Sequence, residues 1–406
     1  MTAQTTSRTY EDRVAPDGPK KLLALDGGGI LGVLSLEFLA GIEDLLRREL
    51  GRGDDFVLAD YFDYIAGTST GAIIATCLAM GMPVARVRDF YHDHGREMFD
   101  KDWLYNRFLH RYGNENLERM LKEKIGEQTG EAEATLGSEK LRTLLMVVLR
   151  NATTDSPWPL SNNPRAMYND SNLTDCNLQL PLWQVVRGST AAPTYFPPEV
   201  VRVGEQEFVF VDGGVTVFNN PAFQLFLMAT VDAYRLSWPA AEDKMLLVSI
   251  GTGAAPNANK NLKPGEMNLL YNATSIPSAM ISAASVQQDF LCRTFGRCRH
   301  GATIDLEIGD MLDPRGGGPT GPAKLFSYVR YNVDLTQAGL NNLGLSKIRA
   351  SDVQQMDSVD HIQELAEIGR AASGTERVRG THPERVKGTH LLLENGRSGQ
   401  GRQLGF

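Results

Sequence analysis

The 406-residue chain is poor in cysteine, with four residues scattered at Cys77, Cys176, Cys292 and Cys298. That number and spacing exclude a disulfide framework and a paired metal-ligand motif, and make a reducing cytoplasm the expected compartment. Long apolar runs are lacking too, since no stretch approaches the roughly 18 residues a spanning helix requires. Met1 to Lys21 is polar, carries both charge signs and has no apolar h-region, so no secretory signal is expected. There is no basic excess: 41 Lys and Arg stand against 49 Asp and Glu, a formal net charge of −8. Nucleic acid is therefore not an expected partner, because its phosphates need clustered cations. Any membrane contact has to be local or apolar. What remains, 42% hydrophobic and 22% charged, is the composition of an ordinary globular protein with one large α/β domain or two smaller ones.

Residues 1–19 end in Ala15-Pro16-Asp17-Gly18-Pro19 and read as a flexible N-terminal arm, with the fold expected to start at Lys20. From there, short apolar runs that close in glycine-rich turns alternate with segments of helical period. This is the pattern of a mainly parallel sheet covered by helices. The first strand is predicted at Leu22 to Asp26. It is followed by a helix with apolar positions at Val33, Leu34, Leu36, Leu39, Ile42, Leu45 and Leu46. Tyr61 to Ala66 reads as a second strand, and Ala72 to Met80 as a helix stopped by Gly81 and Pro83. Further strands are predicted at 141–150, 207–212 and 244–250. The span 255–325 is less regular; a helix from Ile276 to Phe295 makes it a candidate cap or lid, although packing is the commoner use of such a helix. Met356 to Ala372 reads as a last helix, which closes the main domain at 20–372. The polar, glycine-rich residues 373–406 are expected to be a disordered tail. Within it, Glu376 to His382 is nearly repeated at Glu384 to His390, too short a repeat for a solenoid.

Three motifs carry chemistry. Gly67-Thr68-Ser69-Thr70-Gly71 is a Gly-x-Ser-x-Gly placed between a predicted strand and a predicted helix, as a nucleophile elbow requires. A nucleophile at the apex of so tight a turn takes a strained backbone, and small residues two before and two after it let strand and helix pass closely. The second motif, Asp26-Gly27-Gly28-Gly29-Ile30-Leu31-Gly32, also joins a strand to a helix, and its N–H groups can point at an anion. Gly27, Gly29 and Gly32 fit Gly-x-Gly-x-x-Gly. A dinucleotide site, however, needs a second strand ending in an acidic residue about 20 positions on, and Glu49 to Asp55 is a helix end and a polar loop. The competing reading is an oxyanion hole for an ester attacked by Ser69. In the third motif, Phe208-Val209-Phe210-Val211-Asp212-Gly213-Gly214, a carboxylate ends an apolar strand, where ligands are met in open α/β sheets.

A serine hydroxyl needs a base. A triad in the order Ser, Asp, His would draw on His300, His361, His382 or His390, and none has a persuasive setting: His361 lies in a predicted helix, His382 and His390 in the tail. His92 and His94 are two apart on a helix and do not share a face, so no metal site is expected there. Trp103, Trp158 and Trp183 are candidates for lining an acyl channel, though core or interface positions are commoner for this residue.

The three motifs, in this order, resemble the patatin-like phospholipase family. The resemblance extends to Leu58-Ala59-Asp60-Tyr61-Phe62-Asp63, Gly113-Asn114-Glu115-Asn116-Leu117, the run Ser189-Thr190-Ala191-Ala192-Pro193-Thr194-Tyr195-Phe196-Pro197-Pro198, and Ser249-Ile250-Gly251-Thr252-Gly253, and covers about residues 20 to 370. It implies a three-layer α/β/α sandwich with a mainly parallel central sheet. It also implies a Ser69–Asp212 dyad with no histidine, metal or cofactor, and an oxyanion hole from Gly27, Gly28 and Gly29, with Gly32, Gly67, Gly71, Gly213 and Gly214 supporting the turns. The substrates implied are fatty-acyl esters, phospholipid, galactolipid or lysolipid, at a membrane surface, handled by a cytoplasmic or peripherally bound enzyme. In two places the chain departs from the family's pattern. Leu31 stands where arginine is usual in the glycine loop, which bears on phospholipid preference, and Ala72 stands where many relatives have glycine. Two other functions stay open: a low-activity storage or interaction protein that keeps the fold, and a signal-activated, membrane-degrading defence effector.

Overall fold

The computed structural model describes residues 9–99, 115–193, 196–255, 269–312 and 323–378. Its centre is a nine-stranded mixed sheet. The strands are β1 (Lys20–Leu25), β2 (Tyr64–Thr68), β3 (Leu144–Asn151), β4 (Ser156–Ser161), β5 (Glu199–Val203), β6 (Gln206–Asp212), β7 (Met245–Ile250), β8 (Arg297–His300) and β9 (Ser327–Tyr331). They run in the order β5-β6-β3-β2-β1-β7-β9-β8, with β4 paired to β3. The six strands from β3 to β8 are parallel, while β4, β5 and β6 are antiparallel to their neighbours.

The central strands are buried on both faces and so read as unbroken apolar runs. All six residues of β1 are buried. Leu23 and Leu25 enter one core; Leu22 and Ala24, on the opposite face of the pleat, enter the other. The first core lies under α2 (Gly32–Glu49), α3 (Thr70–Ala79), α4 (Val84–Phe99), α5 (Glu115–Thr129), α6 (Leu182–Ser189) and the C-terminal α9 (Ile362–Val378). The second lies under α7 (Ala222–Thr230) and the end of the 27-residue α8 (Leu269–Phe295). The result is the α/β/α sandwich with a mainly parallel sheet that the sequence implied.

Both proposed boundaries shift. The arm expected over 1–19 is ordered from Thr9: α1 (Tyr10–Val14) opens with a capping box between Thr9 and Asp12. Arg13 is fully buried, donates to the carbonyls of Ala59 and Phe62 and faces Asp63, whose other oxygen accepts from the Lys21 N–H. Burying a guanidinium requires such partners, so this helix is part of the fold, which starts before Lys20. At the other end α9 runs to Val378, six residues beyond the expected boundary at 372. The rest of the tail, with His382 and His390, lies outside the described residues.

The irregular span 255–325 contributes an edge strand, β8, and α8, which begins seven residues earlier than expected. The last turn of α8 is anchored by buried Cys292 and Arg293, the latter paired with Asp289. Farther up, Ile276, Met280 and Val286 are exposed. Residues 256–268 and 313–322 lie outside the described residues. Among the described residues no helix is long and apolar enough to cross a membrane.

Candidate functional site

The parallel register gathers three loops at one edge of the sheet. Leu25 pairs with Gly67 on one side and with Ile250 on the other, so the loops after β1, β2 and β7 leave the sheet side by side. This is the edge at which open α/β sheets meet ligands. Ser69 caps the end of β2 and begins α3 with φ 54 and ψ −123, a conformation that side chains rarely adopt. The flanking glycines explain how the turn closes. A Cβ at Gly67 would overlap the Gly71 carbonyl, and one at Gly71 would overlap the carbonyl of Leu25. Gly32 and Gly213 are similarly crowded, by Thr70 and by the Val148 carbonyl.

Asp212 reaches the same edge by an unexpected route. The sequence reading placed it at the carboxyl end of an α/β strand. In fact β6 is antiparallel to β3, and it brings Asp212 in opposite Leu149, one position past the Thr68–Val148 pair. Its backbone N–H is fixed on the Ala191 carbonyl at 2.9 Å. The Ser69 hydroxyl donates to Asp212 Oδ2 at 2.7 Å, and the Gly214 N–H donates to Oδ1 at 2.6 Å. Burial pushes the Asp212 carboxyl up to about 6, against the opposing pull of the Ser69 hydroxyl, the Gly214 N–H and the Arg187 charge. Asp212 is buried, while Ser69 is partly accessible. The Ser69 N–H is held by Ser189 Oγ at 3.0 Å, and that hydroxyl donates in turn to the Val148 carbonyl.

The glycine loop lies against this pair: a Cβ at Gly27 would come to 3.3 Å from that of Ser69. Its three N–H groups are not equivalent. That of Gly27 donates to the Asn219 carbonyl at 3.0 Å, so it is spent, which corrects the reading of Gly27 as a third oxyanion donor. Those of Gly28 and Gly29 meet no acceptor among the described residues. Gly29, at φ +59, packs on the Met356 carbonyl, which accepts from Ile30 N–H. Leu31 is buried in the first core rather than facing the site.

Several contributors were not legible in sequence. Asp26, at the head of the glycine loop, forms a buried two-pronged ion pair with Arg330 of β9 at 2.8 and 2.6 Å, and Arg330 also donates to Ser249. A buried carboxylate at the end of an apolar strand signals that a cation is needed, but nothing local says which. Ser189, Asn219 and Arg187 likewise come from loops and helices whose local sequence gives no sign of proximity.

Among the described residues no histidine hydrogen-bonds to Ser69. His92 faces Asp93, His94 packs on Phe90, His300 lies on Tyr331 and His361 pairs with Glu364. Among the described residues no group of three or more His, Cys, Asp or Glu is arranged to hold a metal. Trp158 packs between Phe208 and Phe210, and Trp183 donates to Glu133 beneath Lys122; neither lines the site. Trp103 lies outside the described residues.

A doubly covered, mainly parallel sheet that holds a serine on a strained strand-to-helix turn against a buried carboxylate defines an α/β protein with a Ser–Asp site. Comparison with known proteins is specific. The patatin-like phospholipase family model matches residues 23–226. Patatin-15 of Solanum tuberosum is 30% identical over 308 residues, covering 71% of this chain and 75% of that protein. Patatin-T5 of Solanum tuberosum and Patatin-17 of Solanum cardiophyllum are each 31% identical over 257 residues, and the chain spans 62% of the length of each. Among solved structures, VipD from Legionella pneumophila aligns at 15% identity with a TM-score of 0.34, covering 86% of this chain and 67% of that one. The chain belongs to the patatin-like phospholipase family, and that membership supports lipid acyl hydrolase activity in general terms.

Proposed function

We propose that the protein hydrolyses fatty-acyl esters of membrane lipids, phospholipid or galactolipid, through Ser69 and Asp212. The observation that carries this reading is the 2.7 Å hydrogen bond from the strained Ser69 to an aspartate whose burial raises its carboxyl to about 6. A carboxylate at its ordinary value of about 3.9 is a poor base, and one raised toward neutrality accepts a proton more readily while remaining ionised at pH 7.

In this scheme Ser69 Oγ attacks the ester carbonyl carbon while its proton passes to Asp212 Oδ2. Charge develops on the carbonyl oxygen, next to the N–H groups of Gly28 and Gly29. Asp212 then returns the proton to the departing alcohol, leaving an acyl ester on Ser69. A water, deprotonated by Asp212, releases the fatty acid and restores the serine. The two carboxylate oxygens divide the work, Oδ1 being held by Gly214 and Oδ2 left to exchange the proton. No step calls for a metal or an organic cofactor.

The four cysteines are free and buried, which fits a reducing, cytoplasmic setting. With a net charge of −8, contact with a membrane would be peripheral and apolar. The test is hydrolysis of short- and long-chain acyl esters by the purified protein. Release of fatty acid that Ser69→Ala reduces to background supports the reading. A folded protein that cleaves no acyl ester, or a Ser69→Ala variant as active as the parent, overturns it.

A further inference from the structure

We propose that Thr252 is a positioning residue that aims the Gly28 N–H at the reacting carbonyl oxygen, and that this is the work of the Gly251-Thr252-Gly253 turn. The inference rests on the acyl-transfer reading above and assigns to that site a residue the scheme leaves unused.

The Gly27 carbonyl accepts from Thr252 Oγ1 at 2.9 Å, and from Asn219 Nδ2 at the marginal distance of 3.4 Å. The Gly27 carbonyl and the Gly28 N–H belong to one peptide unit, which is planar and trans, so the two groups point in opposite directions. Pinning the carbonyl to Thr252 therefore turns the Gly28 N–H away from Thr252 and leaves it for an external acceptor. This accounts for its having none among the described residues. The same contact dictates the residue type at 28: any Cβ there would overlap the Thr252 side chain.

The anchor is itself rigid. Gly251 N–H donates to Tyr331 O at 2.8 Å, and Gly251 O accepts from Ser35 Oγ at 2.8 Å. Gly253 N–H donates to Asn332 Oδ1 at 2.8 Å, and Ala254 N–H to Val333 O at 2.9 Å. Thr252 is buried, so its hydroxyl exchanges no partner with solvent. An oxyanion donor must be in place before charge develops, and a freely rotating Gly–Gly peptide would not be.

The experiment uses the full chain and three variants. Thr252→Val keeps the shape and loses the hydroxyl, Thr252→Ser keeps the hydroxyl, and Asn219→Ala removes the longer bond together with the Asn219 Nδ2 bond to Ser285 Oγ. Two readouts are taken on protein whose melting curve is two-state. One is kcat and KM on an acyl ester. The other is the pH at which the hemiketal formed by a trifluoromethyl ketone on Ser69 ionises, followed by fluorine NMR, which reports oxyanion stabilisation directly. The expected result is a fall in kcat of ten-fold or more for Thr252→Val with KM within about two-fold, together with hemiketal ionisation displaced upward by a pH unit or more. Thr252→Ser should stay within about three-fold of the parent, and Asn219→Ala should lie between. A folded Thr252→Val with unchanged kcat and hemiketal ionisation overturns the proposal, as does a Thr252→Ser as impaired as Thr252→Val. If the parent protein forms no adduct and cleaves no ester, the failure lies in the acyl-transfer reading, and the role given to Thr252 falls with it.

Discussion

Ser69 and Asp212 lie 143 residues apart in the chain, yet the serine hydroxyl donates to the aspartate at 2.7 Å, because β6 returns antiparallel along β3 and ends beside the turn that carries Ser69. Neither residue owes its position to flexible loop packing. Ser69 is fixed by the steric closure of Gly67 on Gly71, and Asp212 by its backbone bond to Ala191.

The state of Asp212 sets the pH dependence. As the proposed base it has to be ionised, and its carboxyl is raised to about 6 by burial. In the free enzyme kcat/KM is expected to fall about ten-fold per pH unit below about 6 and to be level above it. A pH–rate profile on a soluble acyl ester checks this; a flat profile down to pH 5 would contradict the assignment.

The same shift has a sign for stability. The folded carboxyl binds its proton more tightly than the unfolded one, so between about pH 4 and 6 the native state holds the extra proton and this group's contribution to stability improves as pH falls. At pH 7 the ionised form costs roughly 3 kcal/mol, at about 1.36 kcal/mol per pKa unit. Asp212→Asn is therefore expected to melt higher than the parent at pH 7 while losing hydrolysis by a factor of at least about 10³. Loss of both activity and stability would mean that the carboxylate chiefly holds the fold.

Arg330 is expected to act through Asp26. Removing one member of a buried, hydrogen-bonded ion pair leaves the other uncompensated and typically costs about 3–5 kcal/mol. Arg330→Met should lose stability on that scale by denaturant unfolding, and a double change to Asp26→Leu with Arg330→Met should recover much of it. Because Asp26 heads the glycine loop, activity should not recover with stability.

At the N-terminal end, Arg13→Ala is expected to destabilise by about 2–4 kcal/mol, since the carbonyls of Ala59 and Phe62 lose the donor that Arg13 supplies and the buried Asp63 loses the cation it faces. Equilibrium unfolding of this variant decides whether α1 belongs to the fold. A change within 0.5 kcal/mol, the range of an ordinary surface site, would return residues 9–15 to the status of an arm.

What the sequence could convey followed from burial. Strands β1, β2 and β7 are covered on both faces and read as apolar runs, and the glycines of the two strand-to-helix turns mark where backbones pass too closely for a Cβ. The edge strands β5 (Glu199–Val203) and β8 (Arg297–His300) mix charged with apolar residues and show no such run. Strand β9 (Ser327–Tyr331) is hidden by Arg330, a charge that makes sense only once Asp26, 304 positions away, is placed beside it. The inequality of the three glycine N–H groups was out of reach for the same reason, being set by the distant Asn219. Asp212 was found by an argument about parallel strands that its own strand does not obey.

The most direct test of the Ser69–Asp212 site is covalent labelling of the pure protein with a fluorophosphonate, followed by peptide mass mapping, in the parent and in Asp212→Asn. Rapid labelling confined to Ser69, and lost in folded Asp212→Asn, is the expected result. Folded parent protein that takes up no label, or Ser69 labelled equally fast without the Asp212 carboxylate, would contradict an activated serine–aspartate pair.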